Sequence, residues 1–274
     1  MTSKNSRRNL TPQRILAVII IGAIAGFLAG LFGVGGGLII VPALMIILDM
    51  PQRRAAATSL SAIIITAAAG SVSYATQGQL SVPAMVCVSI GALGGAQLGT
   101  WLLRILPERV LPWIFVVFVT GIITIQQFQL PSRDTEIVIT LTSGIAMLAV
   151  GVVSGTFAGL VGVGGGGIIV PGLELIGAGD LIARGTSLLA MIPTALSGTI
   201  TSFRHNLVDL PVGLIIGCAA VSSTPLGVWA AASISPQTGN YLFNLFLIVV
   251  CISTVFKARA RQRKEEKNGL DSGK

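Results

Sequence analysis

The chain has 274 residues, of which 53% are hydrophobic, only 10% are charged and 34 are glycine. The charges concentrate at the ends, since the first 14 residues carry four and the last 18 carry ten, which leaves 14 for the 242 residues between them. So few charges cannot cover a water-soluble surface, which excludes a soluble enzyme, a disordered chain and a nucleic-acid-binding domain. The net charge of +8 lies mainly in the two tails, where basic residues are attracted to anionic lipid headgroups. The sequence therefore predicts a polytopic membrane protein.

Apolar runs of transmembrane length, interrupted by proline, glycine or charge, predict ten membrane segments. All are predicted to be helices, because backbone groups in lipid must be bonded internally and no strand-like period-2 alternation appears. In chain order, the segments are residues 15–31, 38–48, 57–75, 82–103, 110–127, 137–160, 167–178, 186–203, 210–231 and 239–256.

The basic residues predict how these segments are oriented. If the N-terminus is cytoplasmic and the segments alternate, 16 of the 18 Lys and Arg residues lie on the cytoplasmic side. Only Arg133 and Arg184 then fall in loops on the outside. The positive-inside rule therefore predicts that both termini are cytoplasmic.

A sixteen-residue stretch occurs twice in the chain, at residues 29–44 and 158–173, and thirteen of its positions are identical. The correspondence continues downstream, where residues 58–60 and 186–188 share the sequence Thr-Ser-Leu. Such similarity at a fixed offset indicates that the chain consists of two structural repeats.

The first repeat is assigned to residues 15–129 and the second to residues 130–256, with basic cytoplasmic tails at residues 1–14 and 257–274. An odd number of segments in the first repeat reverses the second, which predicts an inverted-topology repeat. This arrangement is characteristic of secondary transporters, which bind substrate near the midplane where the repeats meet. The predicted fold class is all-α, with two inverted repeats of about five helical segments each and glycine-tipped hairpins.

The second and seventh segments are too short to cross a bilayer alone. They have 11 and 12 residues, so each spans about 17 Å against a hydrocarbon core of about 30 Å. Each follows a longer helix through a glycine-rich loop, which we name the first tip (residues 33–37) and the second tip (residues 162–166). The economical geometry is a helical hairpin with its tip inside the membrane, although the sequence leaves open whether the short segments cross or re-enter.

Adjacent glycines suit a binding tip, because glycine reaches positive φ at little steric cost and lets other atoms approach its backbone. The short helix that begins there directs unsatisfied N–H groups and a partial positive charge at one spot, which makes an anion site. Tight helix packing is the alternative explanation of the glycines. The residues predicted to bind substrate are Gly33, Gly35, Gly36, Gly37, Pro42, Thr58, Ser59, Gln97, Gly162, Gly164, Gly165, Gly166, Pro171, Thr186 and Ser187.

Some of these residues have two interpretations. Pro42 and Pro171 follow the tips closely and are expected to help keep each helix broken there. The hydroxyls of Thr58 and Thr186, with those of the adjacent serines, either cap the third and eighth segments or donate to a bound oxyanion. Gln97 either lines the pathway or bonds to another helix.

Other features near the segments are assigned to packing or to the interface. Glycines spaced by four, at residues 22, 26 and 30 and again at 151, 155 and 159, form a smooth stripe suited to helix packing. Glu174 either carries a coupling proton or extends to the interface. Because the sequence places no basic residue clearly at mid-membrane, an anion is expected to be bound by amides and hydroxyls instead of by an arginine.

The doubled element Gly-x-Gly-Gly-Gly-x-x-x-Val-Pro, with a later Ala-Thr-Ser-Leu or Gly-Thr-Ser-Leu, resembles the TauE/SafE family of membrane permeases, also called the sulfite exporter or TSUP family. The resemblance covers residues 16–256, and the second copy departs from the first only slightly, with Gly167 in place of Leu38. It implies a multi-pass inner-membrane secondary carrier of sulfur-containing anions such as sulfite, sulfoacetate, thiosulfate or other organosulfonates.

Two other classes of function remain as alternatives. A cation-coupled carrier of another small organic solute ranks second, because cation sites usually employ intramembrane carboxylates, whereas Asp49 and Glu174 both lie near segment ends. An intramembrane enzyme ranks third, because no catalytic constellation occurs within the apolar segments. We expect no catalytic residues, metal or cofactor, and as partners a small anionic substrate and the lipid bilayer but no nucleic acid. The anion, the direction of transport, the coupling ion and the choice between a monomer and a homodimer are left open.

Overall fold

The computed structural model describes residues 12–105, 140–161 and 164–252, together with isolated residues between 113 and 137. These residues form nine continuous helices, and no strand occurs among them. The helices are α1 (Pro12–Phe32), α2 (Gly37–Ile47), α3 (Gln52–Ala75), α4 (Val82–Ile105), α5 (Leu141–Val161), α6 (Gly166–Leu175), α7 (Asp180–Arg204), α8 (Leu210–Ser233) and α9 (Pro236–Ile252). Six of them, α1, α3, α4, α5, α7 and α8, are long and apolar enough to cross a membrane. The prediction of an all-α polytopic membrane protein is therefore confirmed.

The helix bounds agree with nine of the ten predicted segments to within a few residues at most ends. The clearest difference is α7, which begins at Asp180 and not at Thr186. Charged residues in an apolar chain predict the break between two segments, whereas an acidic residue in the first turn of a helix is stabilised by the helix dipole. The predicted fifth segment, residues 110–127, and the two tails lie mostly or wholly outside the described residues.

The outer surface of the helices is covered by large apolar side chains. Leu141 is 84% exposed, Trp229 is 69% exposed and Trp101 is 58% exposed. Apolar surface of this extent is unfavourable in water but suits contact with lipid tails.

Stripes of glycine bring helices of the two halves into backbone contact. On α1, Gly26 lies against the carbonyl of Ala220 on α8, and on α5, Gly155 lies against the carbonyl of Ala92 on α4. A side chain at either position would collide with backbone atoms, so only glycine permits the approach. The packing interpretation of these stripes is therefore confirmed for the glycines whose contacts are described. The two contacts are related by the sequence repeat, so each half supplies the partner of the other.

The directions of the helices follow from the order of their contacts. Gly185 lies beside Tyr74, whereas Gly198 lies beside Leu60, so α3 and α7 run antiparallel. These two helices are equivalent in the sequence repeat. An antiparallel arrangement of equivalent helices is what an inverted-topology repeat predicts.

Candidate functional site

Two helical hairpins occupy the centre of the helix bundle, the first formed by α1 and α2 and the second by α5 and α6. Gly36 lies against the backbone of Ala25, seven residues before the end of α1, so α2 starts partway along the long helix and not at its end. Likewise Gly165 lies against Ser154 of α5. Each short helix therefore begins in the interior of the bundle.

The residue before each short helix adopts a left-handed conformation. Gly36 has φ 78° and ψ −9°, and Gly165 has φ 80° and ψ −8°. Side chains disfavour this region of φ and ψ, which explains why both positions are glycine. The repeated sequence thus produces the same backbone turn twice.

The two tips are in contact with each other. A side chain at Gly166 would lie 2.7 Å from the Cα atom of Val34 in the first tip. Met191 and Ile63 are both fully buried, and each contacts the glycines of both tips. They are separated by the repeat offset of 128 residues and lie near the middle of α7 and α3, so the tips meet at mid-length of the long helices.

The geometry leaves main-chain donors at both helix starts. The N–H groups of Ile39 and Ile40 bond to the carbonyl of Gly36, and those of Ile168 and Ile169 bond in the same way to Gly165. Neither cap residue provides a side-chain acceptor, because both are glycine. The N–H groups of the first two residues of each short helix therefore lie near the contact between the tips.

The predicted hydroxyls divide into two groups. Ser187 donates a hydrogen bond to the carbonyl of Gly33 at 2.9 Å and so contacts the first tip directly. Thr58 instead accepts the N–H of Asp209, and Thr186 accepts the N–H of Ser81, both at 3.0 Å. These two threonines therefore bond the residues just before α8 and α4. They connect one half of the chain to the other. Neither threonine caps its own helix, which was one of the two interpretations of these hydroxyls.

The remaining predicted residues are placed as follows. Pro42 and Pro171 lie five residues after the first residue of α2 and of α6, which continue through them, while the break from the preceding long helix lies at the tip. At the sixth position of its helix, each proline removes one backbone hydrogen bond. Ser59 is buried and donates to the carbonyl of Ala56. Gln97 is exposed on the surface of α4.

Gly35, Gly37, Gly164 and Gly166 are buried at the tips. Gly162 lies outside the described residues.

A buried charged cluster beside the first tip was not predicted. Arg184 is 2% exposed, although the sequence placed it in an outer loop. Its Nη1 atom donates to the carbonyl of Leu31 at 2.8 Å, and its Nη2 atom lies 3.7 Å from the carboxylate of Asp180. The spacing of four between Asp180 and Arg184 is typical of paired charges on one helix and could have indicated that α7 starts early.

Two further residues complete this cluster, which we define as Tyr74, Arg133, Asp180 and Arg184. The hydroxyl of Tyr74 donates to the carbonyl of Gly30 at 2.7 Å. Arg133 lies 3.6 Å from the carboxylate of Asp180 and donates to the carbonyls of Ala231, Ala232 and Ile234 at the end of α8. The charged cluster therefore joins α1, α3, α7 and α8 at one end of the bundle.

The family model described as sulfite exporter TauE/SafE matches residues 1–125 and 147–272 of the chain. The chain is 29% identical to a probable membrane transporter protein of Haemophilus influenzae over 263 residues, covering 89% of this chain and 98% of that protein. It is 26% identical to proteins of the same description from Xylella fastidiosa, covering 92% and 98%, and from Methanocaldococcus jannaschii, covering 80% and 87%. No solved structure matches the chain.

Proposed function

The chain belongs to the TauE/SafE family of membrane transporters, and from that membership we propose that it is a secondary transporter of small sulfur-containing anions. Sulfite, thiosulfate and organosulfonates are the proposed substrates, bound where the two glycine tips meet. The observation that carries the proposal is the meeting of two helix N-termini, preceded by Gly36 and Gly165, in the interior of the bundle.

The chemistry of the tips favours an anion over a cation. Each short helix directs free N–H donors and about half a positive charge toward its tip. Donors from both hairpins converge on one place, and the low dielectric of the surroundings strengthens their attraction for negative charge. An oxyanion with three or more oxygens can accept hydrogen bonds from both tips together.

Transport requires that the contact between the tips opens. Ile63 and Met191 fill the space between the tips in the structure, so an anion can enter only when α3 or α7 shifts. The two helices are equivalent in the repeat and antiparallel. We infer that movement of α3 exposes the tips to one side of the membrane and movement of α7 exposes them to the other, as in alternating access.

The second candidate function is a cation-coupled carrier of an organic solute. The buried carboxylate of Asp180 favours it, because intramembrane carboxylates are common in cation sites. The two arginines beside this carboxylate weigh against a cation there.

Uptake into proteoliposomes tests the proposal. Radiolabelled sulfite, thiosulfate, sulfoacetate, taurine, sulfate and oxalate are compared at equal concentration, with sodium-driven amino-acid uptake as the competing assay. We expect a sulfur anion to be transported and to raise the melting temperature of the purified protein, because a ligand of the folded state stabilises it. Stabilisation by Na⁺ or an amino acid, and by no anion, would favour the second candidate instead.

A matched pair of variants connects this activity to the tips. Gly36→Ala introduces a side chain at the first tip, where φ is 78° and the backbone of Ala25 is 3.0 Å away. Gly78→Ala introduces the same strain at φ 70° in a turn with no atom within 4 Å of the new group. Loss of transport in Gly36→Ala, with transport retained in Gly78→Ala, is the expected result.

A further inference from the structure

Arg184 is a full positive charge in a site almost closed to solvent. A guanidinium stays protonated in proteins, and a buried charge costs several kcal/mol unless nearby groups compensate it. Among the residues that the structure describes, the charges around it do not balance, because Arg184 and Arg133 share the carboxylate of Asp180. Among the described members of the charged cluster, one positive charge is compensated only by backbone carbonyls. An anion is the ligand that would balance it.

The position of Arg184 associates this charge with the first tip. Its Cα atom would lie 2.7 Å from a side chain at Gly33, so the two backbones are in direct contact. A side chain at Gly239, in the first turn of α9, would lie 2.6 Å from the Nη2 atom. The backbone of Arg184 thus lies against the first tip and its guanidinium lies against α9, and glycine provides the space at each boundary.

Asp180 is only loosely bound to its two partners. It is 1% exposed, and neither of its carboxylate oxygens receives a hydrogen bond within the described structure. The distances of 3.6 Å and 3.7 Å to the two arginines exceed those of a charge-assisted hydrogen bond. The carboxylate therefore neutralises Arg184 without saturating its donors, and the pair can separate at a lower cost than a bidentate pair.

We propose that Arg184 binds the transported anion beside the first tip, and that the carboxylate of Asp180 is its counter-ion when no anion is bound. The anion replaces the carboxylate next to the guanidinium while the amides of the first tip bind its other oxygens. This proposal rests on the proposed function and adds a residue to it. The equivalent of Arg184 in the first half is Ala56, so the second tip has no such arginine and the site is asymmetric.

Binding of thiosulfate and sulfite to the purified full-length protein tests the proposal. Arg184→Gln is expected to raise the dissociation constant at least about tenfold, because hydrogen bonds to a charged group contribute that much or more. Asp180→Asn removes the competing charge at nearly constant shape and is expected to lower the dissociation constant by about threefold or more. Arg204→Gln removes the same charge from the exposed far end of α7 and should leave binding unchanged.

A role for these residues in holding helices together predicts a different pattern. Arg184→Gln and Asp180→Asn would then melt at lower temperature without ligand but would bind thiosulfate with the wild-type dissociation constant. That result would overturn the proposal. If Arg184→Gln fails to fold, Arg184→Lys keeps the charge but loses the planar fork, and binding weakened by about fivefold or more supports the proposal. Unchanged binding in Arg184→Lys together with unchanged binding in Asp180→Asn overturns it.

The binding measurements also distinguish a failure of this proposal from a failure of the proposed function. Wild-type binding that is lost in Gly36→Ala but unchanged in Arg184→Gln would leave the tips as the anion site and reject the arginine. Wild-type protein that binds no anion of the panel would reject both.

Discussion

The first and second hairpins have nearly the same backbone but different neighbours. Gly36 and Gly165 agree within a few degrees in both torsion angles. Gly36 packs against Ala25, however, whereas Gly165 packs against Ser154, whose hydroxyl donates to its carbonyl at 3.1 Å. Ala25 and Ser154 are equivalent in the repeat, and each belongs to the long helix of its own hairpin. Gly33 of the first tip also lies against Arg184 of the other half, whose equivalent in the first half is Ala56.

The repeat thus conserves the backbone of the two tips and allows the side chains around them to vary. The glycines set the torsion angles, and these recur because no other residue adopts them at low cost. Side chains around the tips are free to differ, since they change local charge without changing the turn. The duplicated backbone can thus form the same site twice, and single substitutions such as Ala56 against Arg184 can make the two sites unequal.

The largest expected effect is a loss of stability when a side chain is added to a packing glycine on the long helix of either hairpin. Gly26→Leu on α1 and Gly155→Leu on α5 would each force a side chain into a carbonyl of the opposing helix. Overpacking against backbone cannot relax, so each should destabilise the protein by about 3 kcal/mol or more. Size-exclusion chromatography should show loss of the folded peak in both variants. Gly144→Leu on α5, where no atom lies within 4 Å, should remain folded.

A smaller effect should distinguish the two tips. Gly165→Ala combines left-handed strain with a collision against the hydroxyl of Ser154, for a loss of about 3 kcal/mol. Gly36→Ala has the same left-handed strain, but its new side chain meets the backbone of Ala25 at 3.0 Å and no hydroxyl. Adding Ser154→Ala to Gly165→Ala should remove the difference in stability between the two tip variants. The double variant should then melt at a temperature close to that of Gly36→Ala. A double variant no more stable than Gly165→Ala would show that the serine is not the cause.

The threonines should behave equally in the two halves. Thr58→Val and Thr186→Val each leave one part-buried N–H group without its acceptor, at a cost of about 1 kcal/mol. We expect similar decreases in melting temperature and an unchanged melting shift on adding thiosulfate. Loss of that shift in either variant would instead assign the hydroxyl to anion binding.

The smallest expected effect concerns the support of the first tip by Ser187. Ser187→Ala removes the hydrogen bond to Gly33 and should destabilise the protein by about 1 kcal/mol. Hydrogen exchange measured by mass spectrometry should become faster in peptides that contain residues 33–37. Ser222→Ala removes a similar bond on the exposed face of α8 and should not alter exchange at the tip. Equal exchange in both variants would contradict a supporting role for Ser187.

Most of the architecture could be predicted because membrane helices follow simple rules. Apolar length located the helices, and the repeat of adjacent glycines located both tips, since few sequences other than adjacent glycines allow such turns. The packing role of Gly26 and Gly155 followed from their spacing of four. These are local properties of the chain, which a single sequence contains.

The errors arise where distant residues decide the structure. Arg184 is predicted to lie in a loop because charged residues interrupt the apolar runs from which the segments are predicted. Its actual environment depends on the carbonyl of Leu31, which is 153 residues away and becomes a neighbour only after folding. The same holds for Thr58, whose partner Asp209 is 151 residues away. No local pattern predicts such pairs.

The reciprocal glycine contacts also have a consequence for biosynthesis. α1 is the first of these helices to leave the ribosome, yet its packing partner α8 begins only at Leu210. At about 5–20 residues per second, the stripe on α1 stays without its partner for about 10–40 s. α5, in contrast, finds α4 already synthesised. The two equivalent helices therefore face opposite conditions in the nascent chain, because α1 precedes its packing partner whereas α5 follows its own.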